Sequence, residues 1–290
     1  MSEQDDQQFH RYLEALGASV PARHSFFDPH SVFWRVAREP VLLVAGMRAL
    51  LMQVAHPKVA QGVADHSRYR EDPLGRGIRT FSAVYAMVFG TRDQAIAAAL
   101  KVHGIHRRVQ GRVRDPLPAG MDPAYSANAP ELLFWVAATL LDSSVVAYEA
   151  FVEPLSGEEK EGLYQDSKLF GQLFGVPRDR YPQTWPDFAR WMDAAYGADR
   201  LVVTATARDI CDSLLRGTWF TRLLAPANYV AAAMLLPDAL AARYGFRRSA
   251  PVRLSYRTLV SVLRGLNRVV PRRLRGVPAA RRMEHRLAKR

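Results

Sequence analysis

The feature that most restricts the fold of this chain is the helical period of its apolar residues. Apolar side chains recur every three to four residues through most of the 290 positions, and this spacing lines one face of an α-helix. Runs of alternating β-branched residues joined by hairpin turns are missing from the sequence, which disfavours a sheet protein. We therefore predict an all-α fold, a single multi-helix globular domain.

Helix starts and stops support this prediction. Pro40 and Pro57 stand where a first helical turn tolerates proline, and Ser156 followed by Glu159 has the spacing of a capping box. Gly111 is placed at the end of the helix that starts near residue 92. The predicted helices cover residues 6–17, 39–54, 57–66, 76–89, 92–112, 129–152, 158–174, 186–197, 206–215, 218–243 and 253–269.

Positive charge is concentrated at the C-terminus. The net charge is +12, and residues 247–290 hold 14 of the 40 Lys and Arg with a single acid, Glu284, so the rest is close to neutral. We divide the chain into a helical domain at 1–246 and a basic helical extension at 247–290. Such a tail is either solvated or meets phosphate groups; an anionic membrane is favoured over nucleic acid, because no nucleic-acid-binding motif accompanies the charge.

Several features predict a cytoplasmic protein. Cys211 is the only cysteine and cannot form an intramolecular disulfide, which favours a reducing compartment. Residues 1–14 are polar and acidic, unlike a secretory signal. The apolar stretches at 41–54 and 223–240 are short or interrupted by proline, so we predict buried helices there and not membrane spans. The expected location is therefore the cytoplasm, with membrane contact only at the surface through the basic tail.

The first grouping of candidate site residues is Arg76, Arg79 and Thr80. On the predicted helix, Arg76 and Thr80 share a side with the apolar residues of the following turns, and Arg79 lies at its edge. A buried arginine needs an anionic partner, because an unpaired buried charge is costly. That partner is either an acidic side chain of the protein or the carboxylate or phosphate of a ligand, and the sequence leaves both open.

A second grouping is the histidine pair His103 and His106, which are neighbours on one helical face. Neutral imidazole is a common metal ligand, and haem iron takes one from a protein in many folds. The alternative is a hydrogen-bonded histidine of the core. Zinc is disfavoured, because the chain has no HExxH motif and one cysteine cannot build a thiolate site.

A third grouping holds His56, Asp65, His66 and Asp72. Asp65 or His66 would serve as a proton acceptor if its side chain faced a cavity, and helix capping is an equal alternative for each residue. The sequence contains no GxGxxG, Walker A, GxSxG or CxxC motif. This disfavours dinucleotide oxidoreductases, NTPases, serine hydrolases and thioredoxin-like proteins.

Taken in chain order, several segments of the sequence resemble the family of bacterial rubber oxygenases (latex-clearing proteins) and fungal MpaB-type oxygenases. The resemblance runs from about Trp34 to Trp185 and implies an all-helical fold that binds one haem b through a single axial histidine. The segments are REPVLLVAGMRALLMQVAHPKVAQGVADHS, DPLGRGIRT, VHGIHRRVQG, YSANAPELLFWVAATLLDS and FGQLFGVPRDRYPQT.

The resemblance assigns roles to individual residues. His106 is similar to the axial ligand of the haem iron, with His103 as the alternative. Arg76, Arg79 and Thr80 match the distal Arg-x-x-Lys-Thr of the family, and Asp65 is similar to its distal acid, which is thought to act as a base. Arg79 replaces the family's lysine; since guanidinium stays charged, we predict that it does not ligate iron.

The function implied by the resemblance is a haem b-dependent oxygenase that uses dioxygen. Polyisoprene is disfavoured as the substrate, because the sequence shows no export signal, and a small or medium hydrophobic molecule, isoprenoid or lipid-like, is expected instead. The alternatives are a haem-free helical binding protein that kept the fold and a membrane-surface interaction protein led by the basic tail. The substrate, the electron donor and the oligomeric state are not predicted.

Overall fold

The computed structural model describes residues 3–198, 200–216 and 219–289, and the chain is helical over most of them, which confirms the all-α prediction. Two short strands, β1 (Gln110–Arg112) and β2 (Ala124–Ser126), pair antiparallel, and a 3-10 helix covers Arg178–Arg180. The helices are α1 (Glu3–Leu16), α2 (Val32–Ala37), α3 (Leu42–Val54), α4 (Pro57–His66), α5 (Pro73–Phe89), α6 (Arg92–Arg107), α7 (Pro130–Phe151), α8 (Gly157–Leu173), α9 (Trp185–Gly197), α10 (Ala205–Arg216), α11 (Trp219–Leu235), α12 (Asp238–Tyr244), α13 (Ala250–Val269), α14 (Arg272–Arg275) and α15 (Pro278–Ala288).

Local signals set many of the helix starts. Ser156 and Glu159 form the predicted capping box at the start of α8, each side chain bonding the other's backbone N–H. Thr91 begins α6 in the same way, and Asp72 caps α5 by accepting a hydrogen bond of 2.9 Å from the backbone of Gly75. These starts follow from the sequence, because a capping side chain satisfies backbone donors within a few residues.

The predicted helix at 92–112 is wrong at its C-terminal end. α6 stops at Arg107, and Gln110–Arg112 forms strand β1 instead. Two hydrogen bonds join the hairpin of β1 and β2 to helix α4. The backbone N–H of Arg114 donates to Gln61, and the hydroxyl of Tyr125 donates to Asp65. The reason for the error is that these contacts are long-range, so no local pattern reveals them.

Other predicted boundaries also change where tertiary packing or proline intervenes. The helix predicted at 39–54 begins later, at Leu42, and forms α3; helix α2 ends before this segment. The segment predicted at 218–243, whose first residue lies outside the described residues, is divided into α11 and α12, with Pro237 as the N-cap of α12. Proline alone does not explain the break, since Pro226 lies inside α11 without ending it.

The core is centred on α3 and α7. α7 buries residues on nearly all sides, including Phe134, Tyr148 and Phe151. It is the one helix among the described residues that is long and apolar enough to cross a membrane, and 67% of its most apolar window is buried inside the protein. That burial matches the central helix of a globular core.

Arg48 of α3 is the charged group of this core. Its guanidinium forms an ion pair of 2.6 Å with Asp142 of α7 and donates to Ser143 and to the backbone oxygen of Leu235. Tyr196 donates to the same aspartate at 2.7 Å. Every partner lies on a neighbouring element, so this buried charge is compensated within the protein.

The C-terminal region, predicted as a basic helical extension, is helical in its described part and folds back on the remainder of the chain. Arg275 forms a buried ion pair of 3.0 Å with Glu39, and Glu284 accepts a hydrogen bond of 2.8 Å from the indole of Trp34. α15 also packs on α5. These contacts fix the positions of α14 and α15 relative to the core.

Candidate functional site

α5 and α6 form a helical hairpin that carries most of the predicted site residues. They are joined at Gly90 and Thr91 and pack against each other, so they run antiparallel. Arg76 and Ile105 are equally distant from this turn along the chain and therefore lie at the same level. We call this part of the molecule, residues 74–80 and 103–107, the free end of the hairpin.

The free end is more open than the core. α5 buries only its last residues, Met87, Val88 and Phe89. The large apolar side chains of Leu74, Ile78 and Ile105 are exposed there. An additional Cβ at Gly77 or at Gly104 would contact nothing within 4 Å. The free end thus combines apolar surface with unoccupied space beside both helices.

Arg76 is partly buried at this end, and its side chain forms no hydrogen bond or ion pair with any described residue. Burial, and to a lesser degree the charge of Arg79, lowers the pKa of Arg76. Of the two partners left open by the sequence, an acidic side chain is not found among the described residues. The guanidinium is therefore available to an anionic ligand.

The other two members of the arginine grouping are exposed. Arg79 forms an ion pair of 2.9 Å with Asp72 at the start of α5. The hydroxyl of Thr80 donates to the backbone oxygen of Arg76 at 3.0 Å. The structure therefore separates one unpaired cation, Arg76, from two residues with partners on their own helix or its cap.

His106 lies on the second helix of the free end and is partly buried. Its ring meets the edge of Phe174 with centroids 5.5 Å apart and forms no hydrogen bond with a described residue. Burial, followed by the neighbouring His103, lowers the pKa of His106 to about 4. The imidazole is therefore neutral at pH 7, which is the form that binds a metal.

His103 has a different environment, because α1 covers it. Its ring stacks on Phe9 with centroids 4.4 Å apart, and its Nε2 is buried 3.7 Å from a carboxylate oxygen of Asp6. Asp6 also forms an ion pair with Arg107. Helix α1 would have to move before His103 could bind a ligand.

Asp65 lies at the end of α4 and is already engaged. Its carboxylate accepts hydrogen bonds of 2.7 Å from Tyr125 and 2.9 Å from Gln61, and it pairs with Arg114. Burial raises the pKa of Asp65, but these bonds outweigh it and lower the pKa overall. No hydrogen bond or ion pair among the described residues joins Asp65 to the free end of the hairpin.

The remaining histidines of the third grouping are not joined to the free end by a described hydrogen bond or ion pair. The ring of His66 packs edge-on against the ring of Tyr125, with the ring centroids 6.4 Å apart. His56 precedes α4, and its Nδ1 is buried without a hydrogen-bond partner among the described residues. Burial and the charge of Lys58 lower the pKa of His56 to about 4.

The donor groups of the free end are compatible with the chemistry of haem. A neutral imidazole and an unpaired guanidinium are the groups that would meet the iron and a propionate of haem. No group of three or more His, Cys, Asp or Glu in the described part of the chain could hold a bare metal ion. A separate cleft of about 480 Å³ lies towards the turn of the hairpin, lined in part by Tyr85 and Met283, and it includes neither Arg76 nor His106.

Sequence reasoning missed the residues that surround these groups. Gln61 is four residues before Asp65 on one helix, so the i,i+4 spacing was a usable signal for that contact. Tyr125 and Phe9 approach from distant segments, and nothing in their local sequence indicates it.

Comparison with known proteins extends the resemblance seen in the sequence. The family model described as "ER-bound oxygenase mpaB/B'/Rubber oxygenase, catalytic domain" matches residues 34–265. Searches of curated proteins and of solved structures found no match to this chain. The match contains the whole α5–α6 hairpin and continues past Trp185 into α13. Because it covers most of the chain, the protein belongs to the family of mpaB and rubber oxygenase catalytic domains.

Proposed function

We propose that the protein is a haem b-dependent oxygenase that oxidises a small or medium hydrophobic substrate, isoprenoid or lipid-like, with dioxygen. Family membership supports oxygenase activity. The observation that carries the haem assignment is the free end of the hairpin, where a neutral His106 and an unpaired Arg76 come from two adjacent helices. Neither group forms a hydrogen bond or ion pair with a described residue, so both are available to a ligand.

In this proposal His106 would hold the haem iron through its neutral imidazole. Its low pKa means that no proton competes for the imidazole lone pair at neutral pH. His103 is a weaker candidate, since its ring is stacked on Phe9 and its Nε2 faces Asp6. When bound, haem supplies the iron chemistry that activates dioxygen.

Arg76 would hold an anionic propionate of the haem, which would satisfy a cation that otherwise stays unpaired. Arg79 remains with Asp72 at the surface and stays charged, so it does not occupy an iron coordination position. Thr80 supplies a hydroxyl one turn from Arg76. Asp65 holds the β-hairpin in place and accepts no proton from the substrate in this arrangement.

The exposed side chains of Leu74, Ile78 and Ile105 form the apolar surface that binds the substrate in this proposal. An apolar substrate that covers them removes both itself and these side chains from water. The same contact excludes water from the region next to His106. These properties favour a hydrophobic molecule over a charged one.

The visible spectrum after reconstitution with haem tests the proposal. We expect the wild-type protein and His103→Ala to show a Soret band, and His106→Ala to lose it. Arg76→Gln should retain the band but bind haem at least about tenfold more weakly, because a charge-assisted bond contributes roughly 1.5–3 kcal/mol.

Loss of the band in His103→Ala, with retention in His106→Ala, would move the ligand to His103. A wild-type protein that binds no haem would contradict the haem assignment and would favour a haem-free binding protein with the family fold. Circular dichroism of each variant checks that the helices have formed.

A further inference from the structure

Helix α13 is fixed on the domain by one side only. Leu259 and Leu263 pack against the cluster that includes Phe151 of α7. Arg264 donates to the backbone oxygens of Glu149 and Ala150 at the end of α7, at 2.9 and 3.0 Å. These contacts determine which side of α13 faces outwards.

The outward side carries large apolar residues. Leu254 is 66% exposed and Val269 is 81% exposed, and Val262 and Leu266 are also exposed. With Leu274 they make five of the eleven exposed large apolar side chains that the described residues contain. Soluble surfaces carry scattered apolar residues, but such a concentration on one segment marks a binding surface.

The segment that carries this face contributes positive charge only, although Asp238 and Glu153 of other elements pair with its Arg248 and Arg272. Residues 247–283 contain eleven arginines and no acidic residue. Arg257 and Arg268 are exposed on α13 and form no ion pair with a described residue. A helix with exposed leucine and valine beside free arginines has the composition of a helix that lies in a membrane interface.

We propose that the outward face of α13 (Leu254, Arg257, Val262, Leu266, Arg268 and Val269) binds the surface of an anionic lipid bilayer. The apolar side chains enter the boundary between headgroups and acyl chains, and the arginines meet lipid phosphates. A second copy of the chain fits less well, because a two-fold contact through this face would place arginines against arginines. Nucleic acid would leave the exposed leucines and valines without a partner.

This inference goes beyond the proposed oxygenase activity and does not depend on haem binding. Attachment to a bilayer would keep the protein next to lipid-soluble molecules, the class of substrate that the free end of the hairpin favours. The two proposals are separable, since one is read from the Soret band and the other from vesicle binding.

The test is co-sedimentation of the full chain with vesicles. We expect binding to phosphatidylcholine vesicles that contain phosphatidylglycerol, weak binding to pure phosphatidylcholine, and a loss of binding as salt is added. The double variant Leu254→Ser, Val269→Ser should bind at least about tenfold more weakly, because it removes two apolar side chains from the interface.

A matched pair of variants tests the charge. Arg257→Gln should weaken binding about fivefold, since one basic residue near an anionic surface contributes roughly 1 kcal/mol. Arg112→Gln, an exposed arginine of β1, should leave binding unchanged. Equal losses in both variants would indicate general charge attraction and would overturn the docking face.

Two further outcomes would also overturn the proposal. A dimer by light scattering that the double serine variant dissociates would assign the face to a second copy of the chain. Tight DNA binding that is unaffected by the serine substitutions, together with no vesicle binding, would assign the basic segment to nucleic acid.

Discussion

Arg48 lies in the α3–α7 core, and Arg76 lies at the free end of the α5–α6 hairpin. The two arginines have similar sequence surroundings but differ in whether an acidic side chain faces them. Both lie in predominantly apolar helices. Arg48 is 4% exposed and pairs with Asp142, whereas Arg76 is partly buried and has no partner among the described residues. A buried arginine is therefore structural when an adjacent helix supplies an acid, and it is available to a ligand when no helix does.

The largest expected effect comes from Arg48→Met. It should lower the free energy of unfolding by about 3–5 kcal/mol, because the partly buried Asp142 carboxylate would remain without its cation. Urea unfolding of the haem-free protein at pH 7 measures this change. The matched variant Arg76→Met should change it by less than about 1 kcal/mol, since no protein partner is lost. Equal losses would show that Arg76 has an acidic partner after all and would remove the contrast.

The second effect is a pH dependence that comes from His106. Its pKa in the folded protein is about 4, against 6.5 ordinarily. Between these values the unfolded chain binds a proton that the folded chain does not, so stability falls as the pH drops from 6.5 towards 4. The slope is at most about 1.4 kcal/mol per pH unit for one group.

Urea unfolding of the haem-free protein between pH 4.5 and 7 measures this slope, and His106→Gln should reduce it. His56 has a pKa shifted in the same direction, so part of the slope should remain. An unchanged slope in His106→Gln would mean that the ring is solvated and not neutral by burial.

Asp65→Asn tests whether Asp65 has a structural role, as Arg48 has, or is available to a ligand, as Arg76 is. Because its carboxylate accepts from Tyr125, Gln61 and Arg114, the substitution should lower stability by roughly 1–3 kcal/mol at pH 7. The pKa of Asp65 is lowered in the folded protein, so this stabilisation is complete above 3.8 and is lost as the pH falls through the folded pKa. A variant with unchanged stability but no activity would instead favour a catalytic base.

The smallest effect is expected for Arg79→Lys. The ion pair with Asp72 is exposed, so its loss or weakening should cost less than about 1 kcal/mol. The spectrum of the haem-loaded variant should match that of the wild type, because the side chain at this position is held at the surface. A new low-spin spectrum would show that a lysine at this position reaches the iron.

Much of the fold followed from local sequence. The helix predicted at 57–66 coincides with α4, and the capping box of Ser156 starts α8 as expected. Local prediction failed where partners came from elsewhere: β1 replaced a helix end because it pairs with Ala124–Ser126. The bounds of the short helices α2, α14 and α15 were also not predicted, although the extension that contains α14 and α15 was expected to be helical; α15 is located by packing on α5 and by the contacts of Glu284.

For the candidate site, the sequence determined which residue types were present and at which spacing. The sequence alone revealed the arginine grouping and the histidine pair, because residues three or four apart share a helical face. It also revealed the family resemblance. Only the tertiary structure decided that Arg76 has no acid beside it, that α1 covers His103, and that Asp65 is engaged by Tyr125. Those outcomes depend on which distant helices meet, and a helical period fixes the face that a side chain occupies but not the partner that faces it.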